Sequence, residues 1–419
     1  MDDLFVKSKA DAEKLKKRIA AALSGPALKS ETVINACGRL SDELAAPEYT
    51  AMLEALGIPG SKASAEIAAA RRMLSREYLS YRVSRELQSP GVFTPLFCER
   101  PVRQERMPLG VLLHVSAGNV DALPAFSVIE GLLAGNVNLL KLPREDNGLS
   151  AAILNSLCET EPKLAPYIEI FDVPSTDTGS LEALCGLADA VVVWGGDEAV
   201  KAVRRLAGPG TKLIEWGHKL SFAYASPDAD ESALSGIAEN ICATDQLFCS
   251  SCQGIFVDTD DFGRVLEFAE RFADVLENAA KGYPPSDMRV TAQRTLEAYT
   301  EQLEGGDKRV LLRDGCCVTA YRESVLLPAH GFKSCWVRPL PRGEILTAML
   351  PYRGRLQTVG LACREDARDE AAELFLRAGA VRITDGRSMS EEYCGLPHDG
   401  ELPLQRYTKV VSVETAGIE

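Results

Sequence analysis

Residues 109–141 read LGVLLHVSAGNVDALPAFSVIEGLLAGNVNLLK. Leu109 to Val115 is a short apolar run of strand length, and Ser116 to Asn119 is a loop of small and polar residues. Ala122 to Leu133 carries apolar residues at helical spacing and stops at Gly135, and Val137 to Lys141 is a second apolar run. Apolar strands joined by a helix describe a parallel sheet covered on both faces.

The pattern continues outward from this unit. After a loop from Leu142 to Gly148 comes a helix to about Cys158, then strands over Tyr167 to Val173 and Asp189 to Trp194. A short helix over Asp197 to Leu206 and a fifth strand over Lys212 to Glu215 complete the block. This is a doubly wound nucleotide-binding layout, with ligands expected beyond the carboxyl ends of the strands. The GxGxxG fingerprint is absent, which disfavours an ordinary Rossmann dehydrogenase. Upstream, residues 1 to about 90 read helical, most clearly Ala63 to Gln88. Downstream, a second α/β block starts near Leu220. It has strands at Phe222 to Ala225, Gly254 to Asp258, Arg309 to Leu312, Thr358 to Cys363 and Val381 to Thr384. Its helices are expected over Glu231 to Ile241, Phe262 to Lys281 and Ala367 to Ala378, and Tyr407 to Val413 reads as a final strand.

A chain of 419 residues exceeds the usual size of one hydrophobic core, so two domains are expected. With 46% hydrophobic and 25% charged residues, the bulk of the chain is globular, not disordered. The net charge of −14 and the lack of a Lys/Arg-rich run argue against a nucleic-acid partner. Apolar runs are too short and too interrupted for a membrane span. The stretch from Lys7 to Arg18 reads as a charged amphipathic helix without a signal-peptide apolar region, so a cytoplasmic location is expected. Twelve cysteines in such a chain are expected to be reduced and mostly buried. Four dispersed histidines, with no HExxH and no paired CxxC spacing, give no metal site.

Several positions carry chemistry. Cys249 lies in the segment DQLFCSSCQ, residues 245–253, among small polar neighbours. A thiolate is a strong nucleophile that forms exchangeable thioesters. The plain alternatives are one more buried cysteine, or a CxxC redox pair with Cys252. Glu215 closes an apolar strand, where desolvation would raise its pKa and suit it to general-base work; the alternative is a solvated strand end. His218 is a second base candidate, or a structural hydrogen-bonding group. Asn119 can donate to a developing oxyanion together with the Cys249 backbone N–H, or can simply occupy a turn. Gly195 and Gly196 let a backbone approach a phosphate at a helix N-terminus, which is compatible with Asp197 as an N-cap. Lys141 and Arg144 form a cationic pair suited to a ribose 2′-phosphate, or two solvated surface charges.

These segments together resemble the aldehyde-dehydrogenase superfamily, and most closely its acyl-CoA reductase branch, the fatty-acid reductases of bacterial luminescence. The likeness covers about residues 100 to 260 well and the tail 395–414 moderately. His114 to Asn119 is similar to the segment ending in the oxyanion-hole asparagine. Residues 135–141 resemble the strand whose lysine contacts the adenosine ribose. Residues 194–197 sit where the family has its cofactor-phosphate loop, 214–219 are similar to the segment bearing its general-base glutamate, and 245–253 look like the reductase nucleophile segment. Glu215 and Cys249 are 34 residues apart, as the superfamily pattern requires.

The resemblance implies two doubly wound parallel-sheet domains, one for cofactor and one catalytic, with a C-terminal oligomerisation strand. The expected boundaries are 1–219, 220–389 and a returning tail 390–419. It implies Cys249, Asn119 and Glu215 as catalytic residues. Lys141, Arg144, Gly195, Gly196, Asp197, Ser116 and Gly217 are implied to hold NADPH, in preference to NADH. The implied substrates are an acyl-CoA or aldehyde, and the implied assembly is a homodimer or tetramer. Cys252 stands where the branch usually has proline, which raises an inactivating Cys249–Cys252 disulfide. Residues 216–218 depart from the double-glycine form of ordinary members. A cysteine acyltransferase or thioesterase, and a non-catalytic homologue, are the readings from other classes.

Overall fold

In the computed structural model, residues 6–7, 11–55, 60–98, 100–116, 122–144, 148–283, 288–391 and 393–414 are described. The chain divides into two compact units, Met1–Gly217 with Tyr393–Glu419, and His218–Glu392. The sequence reading sets the corresponding cuts after residues 219 and 389.

The first unit is built on six parallel strands. Their order across the sheet is Val6–Lys7, Ile168–Phe171, Val137–Lys141, Val111–Val115, Ala190–Trp194, Lys212–Trp216. Chain order thus reverses between Val111–Val115 and Ala190–Trp194, the point at which open α/β sheets take ligands. Side chains alternate between faces because a strand has a period of two. Leu113, Leu139, Val191 and Val193 pack with the helices Ala12–Ser24 and Asp197–Leu206 on one face. Leu140 and Ile170 pack on the other, against Ser30–Glu43, Leu123–Leu133 and Leu149–Thr160. Each such buried side chain contributes roughly 1.5–3 kcal/mol.

That second face also carries a buried polar chain. His114 contacts Ser127 Oγ through Nδ1 at 2.7 Å and Asn138 Oδ1 through Nε2 at 3.0 Å. Asn138 Nδ2 donates to the Asn136 carbonyl at 2.8 Å, which leaves Oδ1 to accept from His114 Nε2–H. Burial pushes His114 down to about 4, so the ring stays neutral.

Two N-terminal expectations differ. The basic run does not begin a helix at Lys7; Val6–Lys7 is an edge strand, and the helix starts at Ala12, where Asp11 accepts from Lys14 N. Asp197 is not an N-cap either. Gly196 occupies that position without a side-chain bond, and Asp197 is the first helical residue.

The second unit holds seven strands, in the order Lys308–Arg313, Cys316–Tyr321, Ser334–Pro339, Cys252–Val257, Leu220–Ala225, Leu356–Ala362, Arg382–Thr384. All pairs are parallel except the first. Helices Glu231–Thr244 and Phe262–Ala280 cover one face. Glu365–Ala378 covers the other, over Phe222, Tyr224, Phe256 and Trp336. Gly254 is required where Trp336 crosses it, since a Cβ there would lie 2.0 Å from the indole. The strands Cys316–Tyr321 and Ser334–Pro339 and the helix Met288–Glu304 lie outside the elements read from sequence.

A small antiparallel sheet joins Gly91–Phe93, Val102–Pro108 and the tail strand Thr408–Glu414. The strand expected from Leu109 to Val115 begins only at Val111, because Gly110, at φ 133°, separates it from the strand Val102–Pro108. Among the described residues, no helix is long and apolar enough to cross a membrane.

Candidate active site

In the second unit, Cys249 is the one exposed cysteine among twelve free ones. It lies between the helix Glu231–Thr244 and the strand Cys252–Val257. The connection starts with Asp245 and Gln246 in the left-handed region, at φ 47° and 60°. Two adjacent non-glycine residues there cost about 1–3 kcal/mol each, so surrounding bonds must hold them. Those bonds are present. Gln246 Nε2 donates to the Cys252 carbonyl at 2.9 Å, and Phe332 N donates to the Asp245 carbonyl at 2.9 Å. Cys252 N donates to Asn240 Oδ1 at 3.0 Å, and Phe248 N to Ser251 Oγ at 3.2 Å.

Cys249 is met from two neighbouring strands. Gln357, on Leu356–Ala362, donates from Nε2 to Cys249 Sγ at 3.2 Å. Ser221, on Leu220–Ala225, donates from Oγ to the Cys249 carbonyl at 2.7 Å and accepts from Thr358 N at 3.0 Å. Cys252 faces the other way. Its side chain is fully buried in the core beneath the helices, its thiol donates to the Gly254 carbonyl, and burial pushes it up to about 12. A Cys249–Cys252 pairing is therefore absent, and forming it would require pulling Cys252 out of its packing.

In the first unit, Glu215 is on the strand Lys212–Trp216, and its side chain is 24% exposed. Arg204 grips it with two bonds, Nε to Oε1 at 2.6 Å and Nη2 to Oε2 at 2.8 Å. This differs from the desolvated, available base expected at that strand end. Neither Arg204 nor Gln357 was marked in the sequence, because both reach their partners only through folding. His218 is exposed. Asn119 lies outside the described residues.

The expected cofactor residues gather at the carboxyl ends of the first sheet. Ser116 follows Val111–Val115, and its hydroxyl is buried without a hydrogen-bond partner. Lys141 ends its strand buried, with Nζ 3.2 Å from Ser175 Oγ, whereas Arg144 is exposed. Gly195 has φ 154°, and a Cβ there would meet Ala199 at 3.2 Å. Cβ atoms at Gly196 and Gly217 would meet nothing within 4 Å. An orphaned hydroxyl, a buried ammonium and an open glycine joint fit a polar cofactor. The first turn after the joint already carries Asp197 and Glu198, so that helix end is served by carboxylates as well. Trp194 stacks on Trp216 at 5.3 Å between ring centroids, and His398 of the tail meets both rings.

The architecture is that of the aldehyde-dehydrogenase class. A benzaldehyde dehydrogenase from Corynebacterium glutamicum superposes with a TM-score of 0.71 at 16% identity, covering 96% of this chain and 89% of that one. A putative aldehyde dehydrogenase from Anabaena variabilis gives 0.71 at 15% identity, covering 99% and 98%. Within that class the assignment narrows: the family model Acyl-CoA reductase (LuxC) matches residues 26–410, and the chain belongs to this family. It is 26% identical over 327 residues to the long-chain acyl-protein thioester reductase of Aliivibrio fischeri, covering 73% of this chain and 64% of that protein. It is 24% identical over 362 residues to the long-chain acyl-protein thioester reductase 2 of Photobacterium leiognathi, covering 82% and 72%.

Proposed function

We propose that this chain reduces an acyl thioester to the aldehyde through an acyl-cysteine at Cys249. The observation that carries the reading is Cys249, an exposed residue set on a constrained turn, with its sulfur met by an amide donor. The thiolate attacks the thioester carbonyl, a new carbon–sulfur bond forms, and the donor thiolate leaves and takes up a proton. Asn119 is the proposed oxyanion donor, with the Cys249 backbone N–H. Ser116, Lys141, Gly195, Gly196 and Gly217 are proposed to hold the nicotinamide cofactor, with Asp197 and Arg144 at its edges. Bound in reduced form, it supplies the hydride that takes the acyl-cysteine to a thiohemiacetal. Collapse of that adduct returns the Cys249 thiolate and releases the aldehyde.

The relatives are named for acyl-protein thioesters, so the proposed donors are acyl groups on either a protein thiol or coenzyme A. Lys141 favours NADPH. The bidentate Arg204–Glu215 pair favours reduction over oxidation to a free acid, because hydrolysis of the acyl-enzyme needs a base free to activate water. Glu215 would have to leave Arg204 to serve.

The test is consumption of NADPH or NADH by the purified, reduced protein with short- to long-chain acyl-CoAs and an acylated carrier protein. Consumption that requires the acyl donor, with aldehyde formed, is expected, and Cys249→Ala is expected to abolish it. Full activity in Cys249→Ala would sink the proposal.

A further inference from the structure

We infer that Gln357 is a catalytic residue of the Cys249 site, acting as the amide donor that holds the sulfur in its thiolate form. The inference rests on Cys249 being the nucleophile. A thiolate only accepts hydrogen bonds, whereas a thiol also donates one. The Gln357 Nε2–H group lies 3.2 Å from Sγ, so the arrangement satisfies the charged sulfur. A neutral amide lowers the cost of that charge without placing a competing base or ion beside the reacting carbonyl.

The amide presents Nε2 to the sulfur and Oε1 to the Ser221 hydroxyl. Ser221 has one hydroxyl hydrogen, given to the Cys249 carbonyl at 2.7 Å and more weakly to Gln357 Oε1, while its oxygen accepts from Thr358 N. Its separation from Gln357 Oε1 is longer, 3.4 Å. Turning the amide over would place Nε2 toward Ser221 and Oε1 toward the sulfur, an arrangement suited to a thiol donor. Amide orientation and sulfur ionisation are thus linked. Ser221 is the positioning residue, tying the backbone of the nucleophile to the strands that carry Gln357. No local motif marks Gln357, which is separated from Cys249 by 108 positions and lies on the strand Leu356–Ala362.

The experiment reads the pH dependence of Cys249 alkylation by iodoacetamide, located by peptide mass spectrometry. It needs neither acyl donor nor cofactor, so it remains readable if the proposed reductase activity fails. In the wild-type chain, the midpoint is expected below the ordinary cysteine value of about 8.5. Gln357→Met keeps the bulk and removes the donor, and is expected to raise the midpoint by about one to two units. Gln357→Glu, nearly isosteric, places a carboxylate against the sulfur and is expected to raise it as well. Far-ultraviolet dichroism and thermal midpoints establish that each variant is folded. A wild-type midpoint at or above about 8.5 overturns the inference whatever the variants do. So does a midpoint unchanged in whichever variant folds.

Discussion

A single Cβ separates two roles for Gly196. Its backbone, at φ −72° and ψ 174°, is open to any residue, and added atoms would meet nothing within 4 Å. Folding therefore has no need of glycine there. A cofactor phosphate lying against the joint would need the space. Gly196→Val is expected to leave the thermal midpoint of the cofactor-free protein unchanged and to weaken reduced-nicotinamide binding about tenfold, or about 1.4 kcal/mol. Titration by nucleotide fluorescence measures it. An unchanged Kd would remove Gly196 from the cofactor site and leave Ser116 and Lys141 to argue for it alone. The same scale explains why Cys252, only three positions from Cys249, has a different environment: it starts the buried strand Cys252–Val257 and packs in the core, whereas Cys249 lies on the turn before it.

At the scale of elements, the helix Met288–Glu304 is tied to the segment that braces the Cys249 turn. His330 lies between Glu297 and Glu301 of that helix, 3.4 Å from each, and Tyr321 Oη donates to Glu301 at 2.6 Å. It directly precedes Gly331 and Phe332, and Phe332 N holds the Asp245 carbonyl. The Glu301 hydrogen bond raises His330 above its ordinary value, against the opposing effect of burial. Burial would raise Glu301, but bonds from His330, Tyr321 and Thr319 outweigh it and bring it to about 2. The signs differ for the two groups. The His330 contribution is complete below the unfolded value of about 6.5 and is lost as pH rises through its higher folded value. The Glu301 contribution is present above about 4.3 and is lost as pH falls toward its folded value. Urea midpoints across pH 5.5–9 are expected to decline in the wild type relative to His330→Gln, in which that decline is absent. Parallel profiles for the two proteins would refute the coupling.

At the scale of the whole molecule, the tail returns to the first unit and completes it. Tyr407 is fully buried, stands edge-on to His114 at 6.2 Å, and places its hydroxyl 3.4 Å from Glu130 Oε2. Its carbonyl accepts from Leu109 N and from Asn136 Nδ2. The strand Thr408–Glu414 then pairs along Val102–Pro108. Tyr407→Ala is expected to destabilise this unit by about 3–5 kcal/mol. Urea unfolding followed by dichroism reads the loss, and a change below 1 kcal/mol would show that the tail only decorates a unit already complete.

Much of this was legible in the linear chain, for a physical reason. Strand and helix periods, apolar run lengths and glycine joints are set by backbone geometry over a few residues. The alternation from Val111 to Trp216 could therefore be read directly, and so could the segment around Cys249. Contacts between distant strands have no such local signature. Packing alone brought Gln357 and Ser221 to Cys249, closed Arg204 on Glu215, buried Cys252, and drew Tyr407 against His114. The two strands Cys316–Tyr321 and Ser334–Pro339 were equally unmarked, being stabilised by their neighbours in the sheet more than by pattern. The sequence by itself determined the order of elements and singled out the cysteine segment 245–253 as the candidate. The tertiary structure decided which side chains surround that sulfur, because hydrogen bonds over such separations exist only once the sheet has formed.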